Sequence, residues 1–228
     1  MRIVQSTALA MLCGAGALTA QTTDSVRLTL MPGSELTFTG TSTLHGFTCQ
    51  TKDIQAFIYV VSSYTTMNLP IVEHPILGVR IVIPVKSLAC GGELEGNMRK
   101  ALKADKYPTI TYVLSTYHGL ADSTSANHFV ASMVGMLTIA GTTDSITMNV
   151  DTDRDTSGTV TAQGGHSIQM TDFHIKPPTF MLMLHTGNTI KVRFTLKATA
   201  RAVQAARDAL APSTALVTRQ SRQPGTQP

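Results

Sequence analysis

Apolar and polar residues alternate one for one along most of this chain, and few folds accept a period of two. In KVRFTLKATA (191–200), Val192, Phe194, Leu196, Ala198 and Ala200 fall on one side, and Lys191, Arg193, Thr195, Lys197 and Thr199 on the other. Only an extended strand sends successive side chains to opposite faces, so such a segment is a strand with one dry and one wet side. The same pattern recurs at 145–151 with Ile146, Met148 and Val150, at 35–41 with Leu36 and Phe38, and at 110–116 with Ile110, Tyr112 and Leu114. Segment 79–86 offers Val79, Ile81, Ile83 and Val85, with Pro84 marking an edge, a bulge or the strand's end. Segments 26–30, 53–61, 127–141 and 158–173 are further strand candidates. Eight or nine strands separated by turn residues fit a closed antiparallel barrel or a sandwich.

One segment breaks the period. In GELEGNMRKALKADKYP (92–108), Leu94, Met98 and Leu102 recur every four residues and Pro108 follows, which predicts one short amphipathic helix. Its outer face carries Arg99, Lys100, Lys103 and Lys106, read first as a solvated face.

The first residues point to export. Arg2, an apolar run over 8–18 and a small residue at Ala17 or Ala20 make a signal-peptide pattern over 1–20, with Cys13 inside the removed leader. That run is too short to span a bilayer. The last segment, 201–228, reads as a disordered or partly helical tail. Residues 21–200 then form one domain, and its thirteen Lys and Arg balance thirteen Asp and Glu, so the basic character of the whole chain is no argument for nucleic acid. Two cysteines remain, Cys49 and Cys90, and an oxidising compartment favours their bridging. A loop of that length restricts the unfolded chain by about 4 kcal/mol in the chain-entropy model.

Motifs for catalysis are missing. The sequence has no GxSxG, HExxH or P-loop pattern, and its seven histidines are scattered singly. Asp151, Asp153 and Asp155 are spaced like the start of a calcium loop, but position twelve is Ala162, so the charged tip of a hairpin is the better reading. No cofactor or metal is expected. The inward-facing set either fills a solid core or lines a hollow, and periodicity does not separate the two.

Taken together, TSTLHGF (41–47), IPVKSL (83–88), MRKALKADKYPTITY (98–112), GMLTIAGTTDSITMNV (135–150) and MTDFHIKPPTF (170–180) resemble the YceI-like family of exported lipid-binding proteins. The resemblance spans roughly residues 25–200 and implies an extended, lipocalin-like, eight-stranded antiparallel β-barrel with one short helix, in the periplasm. It also implies a non-enzymatic role: an apolar tunnel holding a polyisoprenoid or similar long-chain amphiphile. The residues expected against that ligand are Leu36, Phe38, Ile81, Ile83, Tyr112, Leu114, Ile146, Met148, Phe180, Met183, Val192 and Phe194. Segment 177–185, which supplies Phe180 and Met183, is expected to be a flexible apolar loop. His45 is a candidate headgroup contact, weighed against a structural hydrogen bond, and Phe47 is expected to pack inward. The alternatives are a lipid isomerase or hydrolase using the same cavity, and a filled barrel with a protein partner; a homodimer stays open.

Overall fold

The computed structural model describes residues 25–43, 45–65, 75–92, 94–120, 127–180 and 184–200. The expected leader over 1–20 and tail over 201–228 lie outside these residues. Ten strands form one sheet in the order β1 (Ser25–Leu30), β4 (Gln55–Val61), β5 (Ile76–Pro84), β6 (Thr109–Gly119), β7 (His128–Ile139), β8 (Thr142–Arg154), β9 (Val160–Gln169), β12 (Thr189–Thr199), β2 (Glu35–Thr41) and β3 (Gly46–Thr51), and β1 also pairs with β12. Strands β1 and β2 both run antiparallel to β12, with only a turn at 31–34 between them, so they are two stretches of one bent strand. Strands β3 and β4 are split in the same way. Counted so, eight strands close an antiparallel barrel, in which β3 pairs with β2 alone apart from a bridge between Gln50 and Ala89.

Several boundaries differ from the sequence expectation, each for a local reason. Segment 127–141 is one strand as far as Ile139, because Ala140 and Gly141 both have positive φ, 49° and 83°, and turn the chain directly into β8. Two consecutive left-handed residues make the two-residue hairpin turn whose twist suits its strands. Strand β9 stops at Gln169, where Met170–Phe173 forms a 3-10 turn. Strand β5 does end at Pro84. The helix is shorter than expected: α1 spans Leu94–Ala101, and Lys103, at φ 51°, turns the chain out of the helix. Segment 177–185 is not wholly a loop. Its ends pair as β10 (Thr179–Phe180) and β11 (Leu184–His185).

The aspartate-rich segment is a hairpin tip, as expected. Asp155 Oδ1 accepts hydrogen bonds from Ser157 Oγ at 2.6 Å and from the Ser157 and Thr159 amides at 2.8 and 3.0 Å, which together hold its carboxyl below the usual range, while Gly158 supplies a positive φ. Cys49 and Cys90 are joined by a disulfide, so β3 is tied to the segment that leads into α1.

Ladder pairing also stops short along the seam between β5 and β6. Pairing between β5 and β6 covers Arg80↔Val113 to Pro84↔Thr109 and stops there, although both strands continue. The registers on either side are irregular, between Tyr59 and Val60 in the β4–β5 ladder and between Leu114 and Thr116 in the β6–β7 ladder. A bulge bends and twists its strand, so the two irregularities splay β5 from β6.

Candidate ligand tunnel

The inward positions of the closed barrel surround a cavity of about 280 Å³. The alternation delivers them strand by strand: Ile190, Val192, Phe194, Leu196 and Ala198 from β12, Ile146, Met148, Val150 and Thr152 from β8, Ile81 and Ile83 from β5. Residues 190 to 198 cover about 26 Å of strand, or about 20 Å of barrel axis at a tilt near 40°. The lumen is therefore a slender tunnel. Among the described residues no Asp, Glu, Lys or Arg lines it, and their polar contribution comes from isolated groups such as Asn97, Thr152, His166 and Thr186.

The two ends are built differently. At one end, α1 lays Leu94, Met98, Ala101 and Leu102 against the cavity, next to Met170, Phe173 and Ile175. The helical stripe found in the sequence is therefore a lid over the lumen. At the other end, the inward alternation of β8 runs past Thr152 to Arg154, which is only 3% exposed. Its guanidinium donates to the backbone carbonyl of Tyr64 and lies over the Tyr64 ring at 5.9 Å. Burial pushes the Tyr64 phenol up to about 12, opposed by the Arg154 charge.

Of the residues expected against a ligand, Leu36, Phe38, Ile81, Ile83, Tyr112, Ile146, Met148, Val192 and Phe194 line the tunnel. Leu114 does not. It packs against the cluster of Tyr117, Phe129 and Met133 and borders the crevice at the β5–β6 seam, and the bulge that follows it turns Tyr117 rather than Thr116 to the core. Met183 and the side chain of Phe180 lie outside the described residues. His45 is exposed near the helix end, where its Nδ1 lies 2.9 Å from the Gly46 carbonyl and its own carbonyl accepts from Ser42 Oγ at 2.7 Å. That is a turn hydrogen bond, and His45 is not part of the tunnel wall. Phe47 does face inward and lines the cavity, as does Cys49.

Sequence reasoning missed Leu28, Ile58, Val60, Tyr64 and His166, all in the tunnel wall. Alternation in 26–30, 53–61 and 158–173 carried the signal for all but Tyr64, which lies in the 3-10 turn Ser62–Thr65, but the inward phase of short segments is fixed only by their partners.

A family model described as the YceI-like domain matches residues 31–198. The chain belongs to the YceI-like family. Solved structures agree on the YceI-like fold at low identity. BcnA of Burkholderia cenocepacia is 18% identical with a TM-score of 0.55, over 73% of this chain and 96% of that one. A polyisoprenoid binding domain from Saccharophagus degradans implicated in plant cell wall breakdown is 15% identical with a TM-score of 0.52, over 76% and 97%. No curated protein matches the sequence. Among the described residues of this YceI-like chain, no helix is long and apolar enough to cross a membrane.

Proposed function

We propose that this YceI-like protein is an exported, non-catalytic carrier that holds the apolar chain of a polyisoprenoid or similar long-chain amphiphile inside the barrel. The supporting observation is the uncharged apolar tunnel running between the α1 lid and the Arg154 end. Each methylene moved from water into such a lumen favours binding by about 0.8 kcal/mol before losses of chain freedom. Likeness to a solved polyisoprenoid binding domain supports the ligand class. The leader pattern, the Cys49–Cys90 disulfide and the family support a periplasmic location. The uncharged lining supports binding over catalysis, which needs several polar groups converging on one point.

Organic extraction of the purified protein followed by mass spectrometry tests the reading, with Met148→Lys as the comparison. A charge buried in the lumen opposes an apolar guest. The expected result is a stoichiometric lipid in the unsubstituted protein and little in the variant. Absence of lipid from the unsubstituted protein, together with failure to bind added prenols, would overturn the proposal.

A further inference from the structure

The seam between β5 and β6 forms a second recess, bordered by Ile76, Gly78, Leu114, Ser115, Thr116 and His118 among others. Ile76 also lines the tunnel, so the recess and the lumen share a wall. Extending the register beyond Arg80↔Val113 sets Gly78 opposite Ser115 and Ile76 opposite Tyr117. Across the second of these, the Ile76 amide donates to Tyr117 Oη at 2.9 Å in place of a ladder bond. In an antiparallel ladder every second residue turns its N–H and C=O toward the neighbouring strand, so strands that separate present those groups to whatever occupies the gap. A Cβ added at Gly78 would meet no atom within 4 Å, so the gap has room. Among the described residues no Asp, Glu, Lys or Arg borders it; Arg80 stands exposed at the fork, outside the recess.

We infer that this recess binds the polar end of the tunnel's ligand, and that the polar end is an uncharged oxygen-bearing group such as a hydroxyl or carbonyl. The inference rests on the carrier reading and adds where the headgroup sits and what it is. An apolar tail fits the lumen, whereas a hydroxyl or carbonyl needs partners of its own, because a polar group desolvated without one is costly. The seam offers main-chain donors and acceptors together with the Ser115 and Thr116 hydroxyls. A phosphate would be less well served there, since among the described residues no Lys or Arg borders the recess and the His118 imidazole is the one side chain able to carry a positive charge. The expected headgroup contact thereby moves from His45 near the helix end to the seam near the Arg154 end.

Competition against a bound fluorescent fatty-acid probe tests this with three C20 isoprenoids that share a tail length: geranylgeraniol, geranylgeranyl phosphate and the hydrocarbon phytane. Geranylgeraniol is expected to displace the probe at a tenfold or lower concentration than either of the others. Gly78→Trp fills the recess, and Ser115→Trp does so from the opposite strand. Both are expected to weaken geranylgeraniol at least fivefold while leaving phytane unchanged, with the native circular dichroism retained. Unchanged geranylgeraniol binding in both variants, or an equal loss for both compounds, would overturn the seam as the headgroup site. Phosphate binding as tightly as the alcohol would overturn the uncharged headgroup. If the unsubstituted protein binds none of the three, the carrier reading itself fails, and this inference with it.

Discussion

The phenol of Tyr112 on β6 lies over Gly135 on β7, so close that a Cβ on Gly135 would stand 2.5 Å from the Tyr112 oxygen. Glycine is what lets the ring lie against the wall of the tunnel. The hydroxyl is buried and has no hydrogen-bond partner, and burial alone pushes its pKa up to about 12.

Tyr112→Phe removes a polar atom that is desolvated without compensation. Deleting such a group relieves a penalty of about 1–3 kcal/mol, so the variant is expected to be more stable, by about 1 kcal/mol after its lost contacts. Denaturant unfolding with an unchanged m-value checks this; a loss of stability would show that the oxygen has a partner.

Gly135→Ala acts in the opposite direction. The added methyl forces the Tyr112 ring into the lumen, and overpacking of this kind costs about 1–3 kcal/mol. Lipid retention is expected to fall alongside thermal stability, and calorimetry with lipid extraction measures both.

Reducing the Cys49–Cys90 disulfide frees a loop of sequence separation 41 in the unfolded chain. The chain-entropy model sets the loss at about 4 kcal/mol. Urea midpoints with and without reductant, or with Cys49→Ala and Cys90→Ala together, should shift to match.

Arg154→Met removes the buried charge at the end opposite α1. The Tyr64 carbonyl then loses its donor inside the barrel, a cost on the order of 2 kcal/mol offset in part by the apolar replacement. Faster exchange of the β8 and β9 amides near residues 154 and 160 would report a loosened end.

His128 lies outside the tunnel lining, with Nδ1 2.8 Å from Asp153 Oδ1 and 3.4 Å from Asp151 Oδ1. The Asp153 hydrogen bond and the two aspartate charges raise its pKa above the ordinary 6.5. The protonated ring is thus favoured by folding. Its stabilisation is full below pH 6.5 and disappears as pH rises through the raised folded value. The stability difference between the unsubstituted protein and His128→Gln should be largest near pH 5.5 and close to zero at pH 8.5. A difference that stays constant across that range would rule the pairing out.

Much of the barrel could be read before any coordinates. Val192, Phe194, Leu196 and Ala198 are all in the tunnel wall because a long strand with strict alternation fixes its own phase. Beyond Leu114 the alternation misleads, since one extra residue in the bulge before Thr116 reverses the side chains after it, turns Tyr117 inward and leaves no mark in composition. Arg154 gave no hint of burial either: a lone arginine among aspartates reads as solvated until Tyr64 is brought to it from 90 residues away.

The sequence alone determined most of the strands, the core-facing side of the long ones, and the pairing expected of Cys49 with Cys90, because alternation and cysteine count are local properties. Tertiary structure decided that the sheet closes with an empty centre, that Arg154 is buried against Tyr64 at one end, and that β5 and β6 part company beside the lumen. Those outcomes depend on register between strands distant in the chain, and a period of two is the same in every register.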